Sequence, residues 1–213
     1  MGAWMVRGIL TIILIVAFSI AIFFCGRSSQ NDGFLLKEDF VLTFDDGPDP
    51  NNTVKIAQIC KRENVPAIFF FIGSQAQKHP EIVKAVSDMG FEIGTHGMEH
   101  VRHDIRGYGF NYNSLNGSKK ILENIIQKPV RKFRPPFGLR FIPTMRAETA
   151  TGLQHIGWSS CSDDWKPLPK EEKIKYVLSS LNKGGIVLLH DVQNETADFL
   201  PDLISACKQR LSS

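Results

Sequence analysis

Apolar and polar positions alternate along the chain with two periods, which predict strands and helices in turn. Short apolar runs rich in β-branched and aromatic residues are typical of buried strands. We predict such strands at 39–44, 66–72, 91–94, 132–134, 155–158 and 185–189. Helical spacing of apolar positions predicts helices at about 53–63, 80–89, 115–127, 142–151, 170–182 and 198–210. This alternation predicts a parallel sheet with helices outside it, either open or closed into a barrel.

Residues 8–26 form a different kind of apolar stretch, because none of them is charged. In a helix this length spans about 28 Å, close to the thickness of the hydrocarbon core of a bilayer. We therefore predict that residues 1–27 are a membrane anchor, with Arg7 on the cytoplasmic side and the rest of the chain outside the cytoplasm. The alternative is a cleaved signal peptide, which would give a secreted protein. The polar residues 28–38 would link this segment to a domain at 39–211.

The composition fits one globular domain of ordinary size. Of the 213 residues, 43% are hydrophobic, which is enough for a sizeable core. The net charge is +3 and no basic stripe is present, so nucleic acid is not the expected partner. No feature implies a protein partner. The four cysteines lack metal-binding or regular spacing, although a Cys60–Cys207 bridge remains open.

Five polar clusters each follow a predicted strand. In chain order they are DDGP, THGMEH, RPPFG, SSCSDDW and HD. The carboxyl ends of parallel strands meet on one face, where α/β enzymes form their sites. We therefore expect all five clusters to lie together, which is stronger evidence for a site than any one of them.

The first two clusters contain the residue types of a metal site. The spacing of His96 and His100 can place both rings on one side, although this spacing alone is a weak signal. Asp45 and Asp46 are adjacent carboxylates, and each raises the pKa of the other unless a cation or proton is near. One aspartate and two histidines could hold a metal, while the other aspartate acts as general base. The alternative for DDGP is a turn that caps the next helix.

The later clusters supply candidates for proton transfer and sugar binding. His190 could be a general acid oriented by Asp164, although a histidine after a core strand is more often structural. Arg134 could pair with the carboxylate that is not a metal ligand and keep it ionised. The nearby aromatic residues are Phe137, Trp158 and Trp165. Aromatic walls suit sugar rings, although core packing is their usual role.

Together the five clusters resemble the motifs of the polysaccharide deacetylase family, the NodB homology domain of carbohydrate esterase family 4. The matching motifs are TFDDGP, HxxxH, RPPF, SDDW and LLH, over roughly residues 39–210. The resemblance implies an α/β fold, a distorted (β/α) barrel, closed or incomplete, which here would follow one N-terminal transmembrane helix. It also implies a hydrolase that removes N- or O-acetyl groups from glycans with one divalent metal ion. Zinc is the expected ion, with cobalt, nickel and manganese as alternatives.

The resemblance assigns roles to individual positions. Asp45 is the expected catalytic base, held by Arg134, and His190 is the expected acid, paired with Asp164. The expected metal ligands are Asp46, His96 and His100. The backbone N–H of Phe137 is expected to bind the oxyanion. The expected pocket walls are Phe137, Trp165 and Leu188.

Three positions depart from the family pattern. Gly97 replaces the usual Ser or Thr, from which we expect a looser metal loop. Cys161 replaces an aspartate, from which we expect fewer supporting hydrogen bonds, and Phe137 replaces the commoner tyrosine. No departure removes a residue with a direct catalytic role.

The expected substrate is an acetylated glycan such as peptidoglycan, a chitin-like chain or an exopolysaccharide. Two other functions remain open from sequence: a non-catalytic glycan-binding module on the same fold, and an amidase that acts on small non-sugar amides. The intact set of candidate residues argues against the first of these.

Overall fold

The computed structural model describes residues 38–212, which form one parallel sheet covered by helices. In this range the strands are β1 Phe40–Asp45, β2 Ala67–Phe71, β3 Glu92–Thr95, β4 Lys132–Phe133, β5 Gln154–His155, β6 Ser160–Cys161 and β7 Gly185–His190. The helices are α1 Thr53–Arg62, α2 Gly73–Lys78, α3 Pro80–Asp88, α4 Tyr108–Ile126, α5 Ile142–Thr151, α6 Lys170–Ser180 and α7 Thr196–Ser212. A 3₁₀ turn covers Pro136–Gly138.

The seven strands have the order β5-β4-β3-β2-β1-β7-β6, and each neighbouring pair is parallel. The edge strands β5 and β6 do not pair with each other in the part of the chain described, so the sheet remains open. This arrangement agrees with the expected distorted (β/α) barrel and shows that the barrel is incomplete.

The two faces of the central strands have different roles. Every residue of β1 and β2 is buried. Side chains alternate between faces, so Phe44 and Phe69 lie on the same side, where their rings stack 5.0 Å apart in the main core. The opposite face carries a smaller apolar cluster that includes Val41 and Phe70. By the same alternation, Asp45 lies on this second face, at the end of β1.

The structure departs from the predicted strand at 155–158, because β5 ends at His155 and β6 begins at Ser160. The carbonyl oxygens of Ile156 and Gly157 accept hydrogen bonds from the Arg134 side chain. The chain passes from one edge of the sheet to the other between β5 and β6, and two of its carbonyl groups there hold a site residue.

Two helices also differ from the sequence prediction. Helix α4 begins at Tyr108, several residues before the predicted start at 115, because Tyr108, Phe110 and Tyr112 alternate with Gly and Asn and hide the helical period. Helix α2 was not predicted, since GSQAQK lacks an apolar period.

The predicted membrane segment at 8–26 lies outside the described residues. Within 38–212, no helix has the length and apolar character needed to cross a membrane. In the same range Cys60, Cys161 and Cys207 are free thiols, so the bridge between Cys60 and Cys207 that the sequence left open is not formed.

Candidate active site

A pocket of about 450 Å³ opens at the carboxyl ends of the strands, where the five polar clusters meet. Eight of the ten predicted site residues line it: Asp45, Asp46, His96, His100, Phe137, Trp165, Leu188 and His190. The other two, Arg134 and Asp164, contact lining residues from behind. Sequence analysis did not single out Gly138 or Gln193, which also line the pocket. Gln193 lies in the loop after HD, and its residue type carries no signal of its own.

Asp45 forms a buried ion pair with Arg134. The Arg134 Nη1 donates to Asp45 Oδ1 at 2.9 Å and to Thr43 Oγ1 at 2.7 Å. Both charged side chains are almost fully buried. The pair places a negative charge on the second face of the sheet and supplies the positive charge that this carboxylate needs there.

Two more guanidinium N–H groups of Arg134 also donate hydrogen bonds. Its Nε donates to the carbonyl oxygen of Ile156 at 3.0 Å, and its Nη2 donates to that of Gly157 at 2.7 Å. The guanidinium carbon lies 4.5 Å from the ring centroid of Phe70. Burial lowers the pKa of Arg134, and Asp45 opposes this shift. Arg134 is therefore fixed in position, and the Asp45 oxygen that it contacts is fixed with it.

Asp46 faces two histidines instead of an arginine. Its Oδ1 lies 3.3 Å from His96 Nε2 and 3.4 Å from His100 Nε2. One ligand atom from each of the three residues lies within 4.8 Å of the other two. Among residues 38–212, the buried Asp46 Oδ1 has no hydrogen-bond partner. Three converging ligands around an unpartnered carboxylate oxygen fit one divalent metal ion.

The charges around Asp46 favour its anionic form. Burial raises the pKa of the Asp46 carboxyl, but His96, His190 and His100 outweigh this effect and hold the pKa below its ordinary value. Burial lowers the pKa of His100. An anionic aspartate beside a histidine with a lowered pKa is the protonation pattern that metal binding requires.

Two residues that line the pocket have a strained backbone. Asp46 and Phe137 have φ values of 78° and 63°, in the left-handed region that residues other than glycine rarely adopt. Such conformations cluster at functional sites because the surrounding structure must enforce them. At Asp46 the turn separates the directions of two adjacent carboxylates, so that each meets a different partner.

His190 ends β7 beside Asp45 of β1, and Asp164 holds it. The His190 Nδ1 lies 2.8 Å from Asp164 Oδ1, and the His190 backbone N–H donates to Asp164 Oδ2 at 2.7 Å. Thr196 Oγ1 also donates to Asp164 Oδ2 at 2.9 Å. Burial lowers the pKa of His190, but Asp164, with Asp45 and Asp46, raises it to about 9. His190 is therefore a protonated imidazolium near neutral pH when no metal is bound.

Aromatic side chains surround the polar groups. The Phe137 ring lies 4.5 Å from the His100 ring, and the Trp165 ring lies edge-on to His190 at 5.1 Å. Phe137 and Trp165 are about half exposed, whereas Trp158 packs against the small apolar cluster. The exposed rings form an apolar rim around a charged floor, which suits a polar ligand with flat apolar faces.

The comparisons with known proteins agree with this site. A family model described as Polysaccharide deacetylase matches residues 35–156. The chain belongs to the polysaccharide deacetylase family. The family that the motifs predicted is thus confirmed.

Two curated relatives are similar over most of the chain. A peptidoglycan-N-acetylglucosamine deacetylase of Bacillus cereus is 33% identical over 171 residues, which cover 76% of this chain and 80% of the relative. A chitooligosaccharide deacetylase of Azorhizobium caulinodans is 33% identical, covering 78% of this chain and 77% of the relative.

A solved structure shares the fold without sharing an intact activity. The pseudoenzyme of carbohydrate esterase family 4 from Bacillus anthracis superposes with a TM-score of 0.77 at 23% identity, covering 82% of this chain and 62% of that one. A protein can therefore have this fold without being active, and its activity depends on the residues at the site.

The Asp164–His190 pair predicts a pH-dependent stability. The folded pKa of His190, about 9, lies above its ordinary value of about 6.5. The pair therefore stabilises the fold fully below about pH 6.5, and this contribution is lost as the pH rises through about 9. In metal-free protein, Asp164→Asn should lower the free energy of unfolding more at pH 6 than at pH 9.5, as measured by urea denaturation.

Asp163→Asn is the matched control, because Asp163 binds the exposed Lys166 instead of His190. Its effect should be small at both pH values. An Asp164→Asn deficit that stays constant from pH 6 to 9.5 would show that His190 is not protonated through this pair.

Proposed function

We propose that this protein is a metal-dependent hydrolase that removes N-acetyl groups from a glycan containing N-acetylglucosamine. The observation that carries the proposal is the division of two adjacent carboxylates: Asp45 pairs with the buried Arg134, and Asp46 faces His96 and His100. The names of the two curated relatives support peptidoglycan or chitin-like chains as substrates. The alternative reaction is removal of O-acetyl groups from a glycan, and the assay must distinguish it from removal of N-acetyl groups.

The metal would be held by Asp46, His96 and His100. We propose zinc, because its catalytic sites use three protein ligands of these types and keep one position open. Cobalt, nickel and manganese are the alternatives. When bound, such an ion polarises the acetyl carbonyl and lowers the pKa of a water molecule.

The other site residues would handle protons and developing charge. Asp45 takes the proton of the attacking water, and Arg134 keeps Asp45 anionic and correctly oriented for this step. We assign the backbone N–H of Phe137 to the carbonyl oxygen, where it would stabilise the negative charge that develops. His190 gives a proton to the leaving sugar amine, and Asp164 supports the protonated form of His190.

The chemistry of the pocket favours this activity over the two alternatives. A non-catalytic glycan-binding module does not need a base held by a buried arginine and an acid held by a buried aspartate. A pocket for small cyclic amides does not need exposed aromatic side chains at its rim, whereas sugar rings stack on such side chains.

We also propose that residues 1–27 anchor the protein in a membrane, that 28–38 link this anchor to the catalytic domain at 39–211, and that this domain lies outside the cytoplasm. The support is the charge-free sequence at 8–26.

The full-length protein should fractionate with membranes, and its mature N-terminus should still precede Arg7. Recovery of a soluble protein that starts near residue 20 would show cleavage instead.

The proposed substrate class predicts a pattern of acetate release. Peptidoglycan and N-acetylglucosamine oligomers should release acetate in the presence of zinc, and acetylated xylan should release much less. Chelation of the metal should abolish the release. Hydrolysis of small cyclic amides without release from any glycan would favour the amidase alternative, and glycan binding without acetate release would favour a non-catalytic module.

The different partners of Asp45 and Asp46 predict different losses in their variants. Asp46→Asn removes an anionic ligand, so zinc affinity should fall and excess zinc should restore part of the activity. Asp45→Asn keeps the three ligands but removes the proton acceptor. Zinc should still bind, and turnover should fall by roughly 10²- to 10⁴-fold without rescue by added zinc.

Calorimetric zinc titration of both variants, beside their rates of acetate release, separates the two roles. Loss of zinc binding in Asp45→Asn together with its retention in Asp46→Asn would mean that the roles are reversed.

A further inference from the structure

Gly97, between the two metal-site histidines, has no room for a side chain. Its φ is +87°, a conformation that residues with a Cβ rarely adopt. A Cβ added at this position would lie 2.8 Å from His103 Nε2, which is closer than real Cβ contacts. The imidazole of His103 therefore fills the space into which a side chain at position 97 would project.

His103 is fully buried, and its ring is fixed by Asn111. The Asn111 side-chain NH₂ donates to the carbonyl oxygens of His103, Arg106 and Gly107 at 3.0–3.1 Å. Its Oδ1 is therefore the acceptor for His103 Nδ1, which lies 2.7 Å away. This contact places the proton of a neutral imidazole on Nδ1 and leaves Nε2 as an acceptor. Burial lowers the pKa of His103, in agreement with the neutral form.

The accepting nitrogen of His103 continues a chain of hydrogen bonds to the metal-site loop, which we define as His96–His100. Ser114 Oγ lies 3.5 Å from His103 Nε2, so its hydroxyl can donate to that nitrogen. The same Ser114 Oγ accepts a hydrogen bond of 2.9 Å from the backbone N–H of Met98. Met98, Ser114, His103 and Asn111 thus form one chain in which each donor has an acceptor.

The rest of the metal-site loop backbone is also held. The Gly97 N–H donates to Thr95 Oγ1 at 3.1 Å, and the carbonyl oxygens of Gly97 and Met98 accept from the backbone N–H groups of Gly73 and Ser74. The looser loop expected from a glycine at position 97 is thus not what the structure shows. Thr95 thus binds the backbone N–H of Gly97, and the hydrogen-bond chain through Ser114 and His103 binds the backbone N–H of Met98.

We propose that His103 is a positioning residue that holds the metal-site loop in its metal-binding form, in place of a side chain at position 97. It does so by filling the space beside Gly97 and by accepting the Ser114 O–H, which directs a lone pair of the Ser114 oxygen toward the Met98 N–H. The inference rests on the proposed metal-dependent function, because it concerns the geometry of His96 and His100. It predicts that changes behind the site weaken metal binding without touching a ligand.

Zinc titration by calorimetry tests this inference directly. His103→Leu puts an apolar side chain of similar size in place of the imidazole and so breaks the hydrogen-bond chain. Zinc affinity should then fall by roughly 10- to 100-fold. Ser114→Ala leaves the imidazole in place and removes only the link to Met98, and its zinc affinity should fall within the same range. His155→Leu is the matched control, because it also removes a buried histidine, but one on β5, which β4 separates from β3, and whose Nδ1 has no hydrogen-bond partner among residues 38–212. Its zinc affinity should remain that of the parent protein.

The free energy of unfolding of each metal-free protein, measured with urea, accompanies each titration. It shows whether a variant that binds zinc more weakly is still folded. Zinc affinity equal to that of the parent in both His103→Leu and Ser114→Ala would overturn the inference. If His103→Leu does not fold, Ser114→Ala decides the result by the same criterion. If the parent protein itself binds no zinc, cobalt, nickel or manganese, the proposed metal-dependent function fails instead.

Discussion

The buried ion pair between Arg134 and Asp45 is the interaction on which the rest of the site depends. A carboxylate at the end of a fully buried strand is costly unless a cation and hydrogen bonds compensate for its lost hydration. Arg134 supplies the positive charge and a hydrogen bond. Its Nε and Nη2 also donate hydrogen bonds to the carbonyl oxygens of Ile156 and Gly157. Removing Arg134 would leave a buried unpaired charge at a cost of about 3–5 kcal/mol. The same pair fixes the local fold and the orientation of Asp45.

This pair also explains how two adjacent aspartates can both be ionised. The left-handed turn at Asp46 directs its carboxylate away from Arg134 and toward His96 and His100. Each carboxylate thus faces its own source of positive charge, one permanent and one that a metal ion would supply. Asp164 raises the pKa of His190 in a similar way. The site therefore contains an anionic group and a cationic group in one pocket.

The sequence predicted the convergence of the five clusters because parallel strands place all their carboxyl ends on one face. The bounds of the central strands followed from continuous apolar runs, as in AIFFF of β2. The break between β5 and β6 could not be predicted, because it reflects the order of the strands: β5 and β6 lie at opposite edges of the sheet, and the carbonyl groups between them bind the distant Arg134 side chain. Likewise, the role of His103 was not visible, since it arises from the space beside Gly97 and from a hydrogen-bond chain through Asn111 and Ser114. Long-range contacts of this kind leave no periodic signal.

The central claim is that the two aspartates have separate partners: the metal for Asp46 and Arg134 for Asp45. A crystal structure of the zinc-loaded protein, with the ion located by anomalous scattering at the zinc edge, tests it most directly. We expect one ion whose protein ligands are Asp46, His96 and His100, with Asp45 still bound to Arg134. An ion coordinated by Asp45 with the Arg134 contact broken, or a zinc ion bound elsewhere while this pocket stays empty, would contradict it.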